Sequence, residues 1–196
     1  MRVVALVALL TLVVTSACSR GRDGSGPPVT SDSSTGAPCV PAATSAASAS
    51  PGVNVETASN QKVPDLTLAC FAAGGDKVKI GELHRPAILN LWASWCTPCR
   101  TELPALNTYA QRGTVLVLGV NTEDSRTGAG SIVDDLELGF PNLYDREGKL
   151  HKALGSLPMP VTLFLTADGT VVYTHRAGAL DTAGFERIAR EYLGAP

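Results

Sequence analysis

Residues 87–100, AILNLWASWCTPCR, join a nearly unbroken apolar run to a Cys-x-x-Cys pair. The run Ala87–Ala93 is typical of a strand that is buried on both faces of a parallel sheet. After it the period changes, because apolar residues recur at helical spacing as far as Ala110 and Pro98 suits a first helical turn. The pattern therefore predicts that Cys96 lies at the N-terminus of a helix.

A cysteine in that position is suited to disulfide exchange. Unpaired N–H groups and the positive end of the helix dipole favour a thiolate, with a pKa of roughly 3.5–7.5 against about 8.5 for a free thiol. We expect Cys96 to attack a disulfide and Cys99 to resolve the mixed disulfide that results. Half of a zinc site is the commonest alternative, but the chain has no second Cys-x-x-Cys and its three histidines stand singly. A purely structural bridge over so short a loop would add little stability, so we predict redox catalysis without metal or cofactor.

Two blocks of the sequence resemble a known family. The segment Ile88–Leu106 is similar to the active-site block of thioredoxin-fold proteins of the TlpA/ResA-like group, with the pattern W-C-x-P-C-[RK]-x-E-x-P-x-L. Leu157–Leu165 resembles the family's segment around a cis-proline and the strand that follows it. The resemblance covers about residues 62–196 and implies an α/β thioredoxin fold, a central mixed β-sheet flanked by helices. It also implies a thiol-disulfide oxidoreductase like the DsbE/CcmG-like proteins of cytochrome c biogenesis.

The resemblance implies that three residues beside the cysteine pair contact the substrate, namely Trp95, Met159 and Pro160. It implies that the Met159–Pro160 bond is cis and faces the cysteines, with Pro160 shaping a groove for an extended polypeptide. From the residues alone a trans bond is the ordinary expectation, because only roughly one X–Pro bond in twenty is cis in folded proteins.

Glu102 matches the family's acidic residue, which adjusts the pKa of the cysteines or relays a proton. It lies one helical turn beyond Cys99, and a solvated glutamate in the first turn is the simpler alternative. Two positions depart from related proteins. Asn90 stands where thioredoxin has a buried Asp, and since an amide cannot titrate, any proton transfer shifts toward Glu102 or water. Val161 replaces the Thr that commonly follows the cis-proline.

The first residues are predicted to direct export. A basic residue precedes the apolar run Val3–Val14, which is too short to span a bilayer comfortably, and small residues follow. Thr15–Cys18 resembles a bacterial lipobox, in which Cys18 is lipidated and becomes the first residue of the mature chain. Ordinary signal-peptidase cleavage and an uncleaved anchor are the alternatives. We expect residues 1–17 to be a signal peptide and the protein to be lipid-anchored at the extracytoplasmic face of the cell membrane.

Residues 18–61 are predicted to be a disordered tether and residues 62–196 the thioredoxin-like domain. The tether is rich in Ser, Gly, Ala, Thr and Pro and has few large apolar residues, so it cannot offset its ordering entropy by burial. It contains Cys39, while Cys70 lies in an early strand of the domain. An oxidising compartment favours a structural Cys39–Cys70 disulfide, and two free thiols are the alternative.

The expected partners are cysteine-containing proteins and a membrane electron donor that recharges the pair. A net charge of -2, with no basic cluster or Gly-rich phosphate loop, argues against nucleic acid. An oxidase that introduces disulfides into secreted proteins, and needs an oxidising partner, is the main alternative. A Cu(I) chaperone usually spaces its cysteines by three residues and a peroxidase places Pro and Thr ahead of its reactive Cys, so both are weaker alternatives.

Periodicity also predicts the coarse element order of the domain. The expected strands are Leu66–Phe71, Val115–Val120 and a hairpin over Val161–Thr174. The expected helices are one from the cysteine pair to about Arg112, then Ser131–Leu138, Lys149–Leu154 and Asp181–Leu193.

Overall fold

The computed structural model describes residues 39–40, 61–72 and 76–196. The predicted signal peptide, Cys18 and most of the predicted tether lie outside the described residues. The elements, in chain order, are β1 (Gln61–Lys62), β2 (Thr67–Cys70), β3 (Lys77–Lys79), β4 (Ala87–Trp92), α1 (Thr97–Ala110), β5 (Leu116–Thr122), α2 (Arg126–Asp135), β6 (Asn142–Asp145), α3 (Lys149–Ala153), β7 (Val161–Leu165), β8 (Thr170–His175) and α4 (Thr182–Leu193).

These strands form one mixed sheet in the order β1-β8-β7-β4-β5-β6-β2-β3. β4 and β5 pair in parallel, as do β5 and β6, and the other neighbours are antiparallel. The short strands β1 and β3 lie at the two edges of the sheet. Helices pack on the sheet, so the predicted mixed sheet with flanking helices is confirmed.

The central strand β4 is buried along its whole length because the sheet is covered on both faces. Ala87, Leu89 and Leu91 belong to one apolar core, and Ile88 and Trp92 belong to the other, which also contains residues of α1 and α4. This alternation follows the two-residue period of a strand. It places Asn90 on the same face as Ile88 and Trp92, toward α1. The sequence pattern suggested a parallel environment, but β4 is parallel to β5 and antiparallel to β7.

The second helix begins earlier than its sequence pattern predicts. α2 begins at Arg126, and the predicted start is Ser131. Gly128 and Gly130 lower the helix propensity of this stretch, yet Ser125 caps it because its side chain accepts a hydrogen bond from the Gly128 N–H at 3.0 Å. A Cβ at position 128 would lie 2.6 Å from Ser94 Oγ, so a larger residue there would require the Ser94 side chain or the helix to shift.

Candidate active site

The cysteine pair lies where β4 leads into α1. Cys96 is the N-cap residue of α1, and its sulfur accepts a hydrogen bond from the Cys99 N–H at 3.3 Å. The two sulfurs are bonded, with their Cα atoms 5.3 Å apart. Cys96 is 5 % exposed and Cys99 is fully buried, so a reactant from solvent reaches Cys96 first. The order of attack, in which Cys96 precedes Cys99, stays a prediction.

Sheet register brings the proline segment to the same end of the sheet. Val161, the first residue of β7, pairs with Leu91 near the end of β4. Met159 and Pro160 therefore lie beside the segment that leads to the cysteines, and the Met159–Pro160 peptide bond is cis. Pro160 is buried and Met159 is half-buried. Substrate contact by these two residues stays a prediction.

Glu102 is a fully buried carboxylate on α1. Its Oε1 accepts hydrogen bonds from Asn90 Nδ2 at 2.5 Å and from Thr162 Oγ1 at 3.1 Å, and its Oε2 accepts one from the Leu180 N–H at 2.8 Å. Burial raises the pKa of the Glu102 carboxyl above its usual range, although its three hydrogen bonds act in the opposite direction. The alternative of a solvated first-turn glutamate is therefore wrong.

Asn90 holds the carboxylate of Glu102 in place. Its Nδ2 donates to Thr162 Oγ1 at 2.8 Å as well as to Glu102, while its Oδ1 is buried without a hydrogen-bond partner. Thr162 enters this cluster because it pairs with Asn90 across β4 and β7. Sequence reasoning missed Thr162, since only the register of two distant strands places it there.

Asp124 lies in the loop after β5 and anchors the residues just before the cysteines. Sequence reasoning also missed this residue. Its carboxylate accepts from the Ser94 N–H at 2.6 Å, Ser94 Oγ at 2.8 Å, Asn121 Nδ2 at 2.9 Å and the Ser125 N–H at 2.7 Å. Four donors on one carboxylate fix the backbone that leads into Cys96.

Trp95 is the large hydrophobic side chain that stands out of the described surface, with 60 % of it exposed. Its indole Nε1 donates to the Glu123 carbonyl at 3.0 Å. This hydrogen bond fixes one edge of the ring, while the face of the ring stays exposed to solvent. An exposed aromatic side chain next to a reactive sulfur is suited to contact an incoming polypeptide.

The comparisons with known proteins agree with this geometry. Residues 59–174 match the family model described as the AhpC/TSA family. The chain belongs to the AhpC/TSA family. A thiol:disulfide interchange protein DsbE of Tatumella citrea is 39% identical over 98 residues, which is 50% of this chain and 52% of that protein. DsbE of Escherichia coli (strain K12) is 37% identical over 105 residues, 52% of this chain and 55% of that protein.

A further relative is the thiol-disulfide oxidoreductase ResA of Bacillus thuringiensis, 27% identical over 103 residues, 50% of this chain and 59% of that protein. The chain thus spans about half the length of the curated relatives it matches. The predicted resemblance to ResA-like and DsbE-like proteins is confirmed by these relatives.

Solved structures show the same fold for this AhpC/TSA family member. A secreted Mycobacterium tuberculosis disulfide oxidoreductase homologous to Escherichia coli DsbE aligns with a TM-score of 0.56 at 23% identity, covering 66% of this chain and 96% of that one. A DsbF homologue from Corynebacterium diphtheriae aligns with a TM-score of 0.58 at 23% identity, covering 71% and 94%. The predicted thioredoxin fold is therefore confirmed.

A second disulfide lies away from the cysteine pair in this AhpC/TSA domain. Cys39 is bonded to Cys70 at the end of β2, with their Cα atoms 5.9 Å apart, and Val40 packs on the adjacent core. Phe71 follows Cys70, and the centroid of its ring lies 5.8 Å from that of the Tyr144 ring. The bridge therefore joins a residue of the predicted tether to the sheet, and its structural role stays a prediction.

Within the described ranges, no group of three or more His, Cys, Asp or Glu side chains could hold a metal ion. Over the same ranges, no helix has the length and apolar character that crossing a membrane requires.

Proposed function

We propose that this protein is a thiol-disulfide oxidoreductase that reduces cysteine-containing proteins outside the cytoplasm. The observation that carries the proposal is the position of the cysteine pair, with a slightly exposed Cys96 capping a helix and a buried Cys99 behind it. The names of the relatives, thiol:disulfide interchange protein and thiol-disulfide oxidoreductase, support the same activity.

The first step is attack by Cys96 on a client disulfide. The N–H of Cys99 already points at the Cys96 sulfur, and together with the helix dipole it stabilises the negative charge of a thiolate. The Cys96 thiolate forms a bond to one client sulfur, the client S–S bond breaks, and the other client sulfur leaves as a thiolate. Trp95 and the Met159–Pro160 segment flank the sulfur and are suited to hold the client chain.

The second step is attack by Cys99 on Cys96. The Cys99 thiol loses its proton and its sulfur bonds to the sulfur of Cys96. The bond between Cys96 and the client breaks, and the client sulfur that was held in the mixed disulfide leaves as a thiolate. Two electrons have then moved from the cysteine pair to the client. Glu102, one helical turn from Cys99 and with a raised pKa, is the titratable group suited to exchange the proton of Cys99.

A reductase must be recharged after every turnover. We propose that a membrane thiol-disulfide protein supplies the electrons and that a protein of cytochrome c biogenesis is the client, as in the DsbE-like and ResA-like group. Lipidation at Cys18, after removal of residues 1–17, would hold the domain at the extracytoplasmic face of the cell membrane, where both partners are within reach.

The decisive experiment measures the equilibrium potential of the cysteine pair against glutathione, with disulfide exchange measured on the same protein. A potential near that of thioredoxin, about -270 mV, supports a reductase, whereas a value near -120 mV supports the alternative of an oxidase. We expect Cys96→Ser to abolish exchange and Cys99→Ser to accumulate a mixed disulfide with the client. The double variant of Cys39→Ser with Cys70→Ser is the matched control and should keep exchange activity. Full activity in Cys96→Ser would refute the proposal.

A further inference from the structure

The side chain of His151 joins two loops that flank the cysteine pair. His151 lies in α3 and is buried. Its Nε2 is 2.7 Å from the Leu157 carbonyl oxygen, and its Nδ1 is 3.3 Å from Glu123 Oε2. Because β4 lies between β5 and β7 in the sheet, Glu123 (just after β5) and Leu157 (just before β7) stand on either side of the strand that leads to Cys96.

Each of these loops carries part of the candidate active site. The Glu123 carbonyl accepts the hydrogen bond of the Trp95 indole, and Leu157 begins the segment that ends in the cis Met159–Pro160 bond. His151 therefore connects the loop that supports Trp95 with the loop that presents Pro160, through one side chain.

The hydrogen bond from His151 to Leu157 has a defined direction. A carbonyl oxygen only accepts, so Nε2 of His151 carries a proton and donates to Leu157. The Glu123 carboxylate also only accepts, so Nδ1 donates to it when the ring is a cation. The other Glu123 oxygen faces the Lys152 ammonium at 3.9 Å, which leaves the carboxylate between two basic side chains.

The backbone on both sides of the bridge is unusual. Glu123 has φ 51° and Ser156 has φ 52°, both in the left-handed region that non-glycine residues seldom adopt. The Ser156 N–H donates to the His151 carbonyl at 2.9 Å, so the backbone of His151 also holds the second loop. Such conformations persist where the surrounding structure fixes them, and His151 contacts both loops.

We propose that His151 is a positioning residue for exchange with polypeptides. It fixes the separation between Trp95 and Pro160, and with it the width of the cleft in which an extended client chain lies beside Cys96. This inference rests on the proposed function, and it names the feature of the site that selects polypeptide disulfides. A small disulfide needs only to reach the sulfur of Cys96, so its reaction does not depend on the cleft.

The test compares two substrates on the reduced full-length chain. One is a synthetic peptide of roughly ten residues with an internal disulfide, which at an extended rise of about 3.3 Å per residue can run past Cys96 on both sides. The other is oxidised glutathione, which carries little polypeptide around its disulfide. His151→Phe removes the hydrogen bond to Leu157 and the polar contact with Glu123 but keeps a ring, whereas His151→Gln keeps a donor toward Leu157. His84→Asn is the matched control, because His84 is exposed at the opposite end of β4 and its left-handed backbone suits Asn.

We expect His151→Phe to lower kcat/KM for the peptide by about tenfold, mainly through KM, the factor that losing one ordinary hydrogen bond produces. The rate with oxidised glutathione should stay within about twofold of the native rate, His151→Gln should recover part of the loss, and His84→Asn should match the native protein. Equal losses with both substrates, or no loss with either, would overturn the inference while leaving the proposed function standing. A native protein that reacts with neither substrate overturns both.

Discussion

The buried carboxyl of Glu102 leads to a sharp prediction about how stability depends on pH. Because burial raises its pKa in the folded state, the folded chain keeps a proton that the unfolded chain has already released. The stability that this group contributes is therefore complete below its unfolded pKa and is lost as the pH rises toward its folded pKa. Glu102→Gln replaces the titratable carboxyl with an amide, so the variant does not lose this stability as the pH rises.

The size of the effect follows from one proton. As the pH rises, the free energy of unfolding of the native protein should fall relative to that of Glu102→Gln by up to about 1.4 kcal/mol per pH unit. This fall should level off above the folded pKa. At low pH the two should differ by only about 1 kcal/mol, because Asn90 can turn its unpartnered Oδ1 toward the new amide and keep the cluster hydrogen-bonded.

Urea unfolding of the oxidised protein, followed by tryptophan fluorescence from about pH 4 to about pH 8, measures this difference. Glu147→Gln is the matched control, because Glu147 is exposed and its curve should run parallel to the native one. If the curves of Glu102→Gln and the native protein also ran parallel, burial would not be raising the pKa of this carboxyl. The proton-exchange role of Glu102 would then lose its physical basis.

Three further outcomes follow from the same contacts. Replacing Cys39 and Cys70 by serine opens a loop of sequence separation 31 and should lower the free energy of unfolding by about 3.7 kcal/mol; a loss in urea unfolding below about 1 kcal/mol would contradict this. Asp124→Asn places an amide against donors such as the Ser94 N–H and should lower the free energy of unfolding by about 1–3 kcal/mol. Thermal unfolding followed by tryptophan fluorescence measures this loss. Trp95→Ala should raise KM for a peptide disulfide about tenfold and leave the equilibrium potential unchanged, and a shifted potential would place Trp95 in the redox chemistry itself.

The segment around the cysteines was predictable because its signals are local. The apolar run of β4 and the Pro98 of the first helical turn specify a strand followed by a helix without reference to distant residues. The strand β6 was missed because it is four residues long and depends on pairing with β5. The start of α2 was predicted too late, since capping by Ser125 outweighs two glycines of low helix propensity.

The same distinction holds within the site. The sequence motif contains Cys96, Cys99 and Glu102, because they lie within two turns of one helix. Asp124 and His151 reach the site only through the order and register of the sheet, which no local pattern encodes. Pro160 was predictable through the family resemblance, whereas its position beside β4 depends on the pairing of β7.

The two edges of the sheet bear on how a client would leave the protein in the proposed reaction. β1 and β3 are two and three residues long, and they include Lys62, Lys77 and Lys79. Short borders that carry ammonium groups discourage another chain from adding a strand and so protect against aggregation. Under the proposed function, a partly unfolded client would therefore be held chiefly by its sulfur bond and by the loops around it. Once that bond had been exchanged, the short strands β1 and β3 would offer no long ladder on which the client is retained.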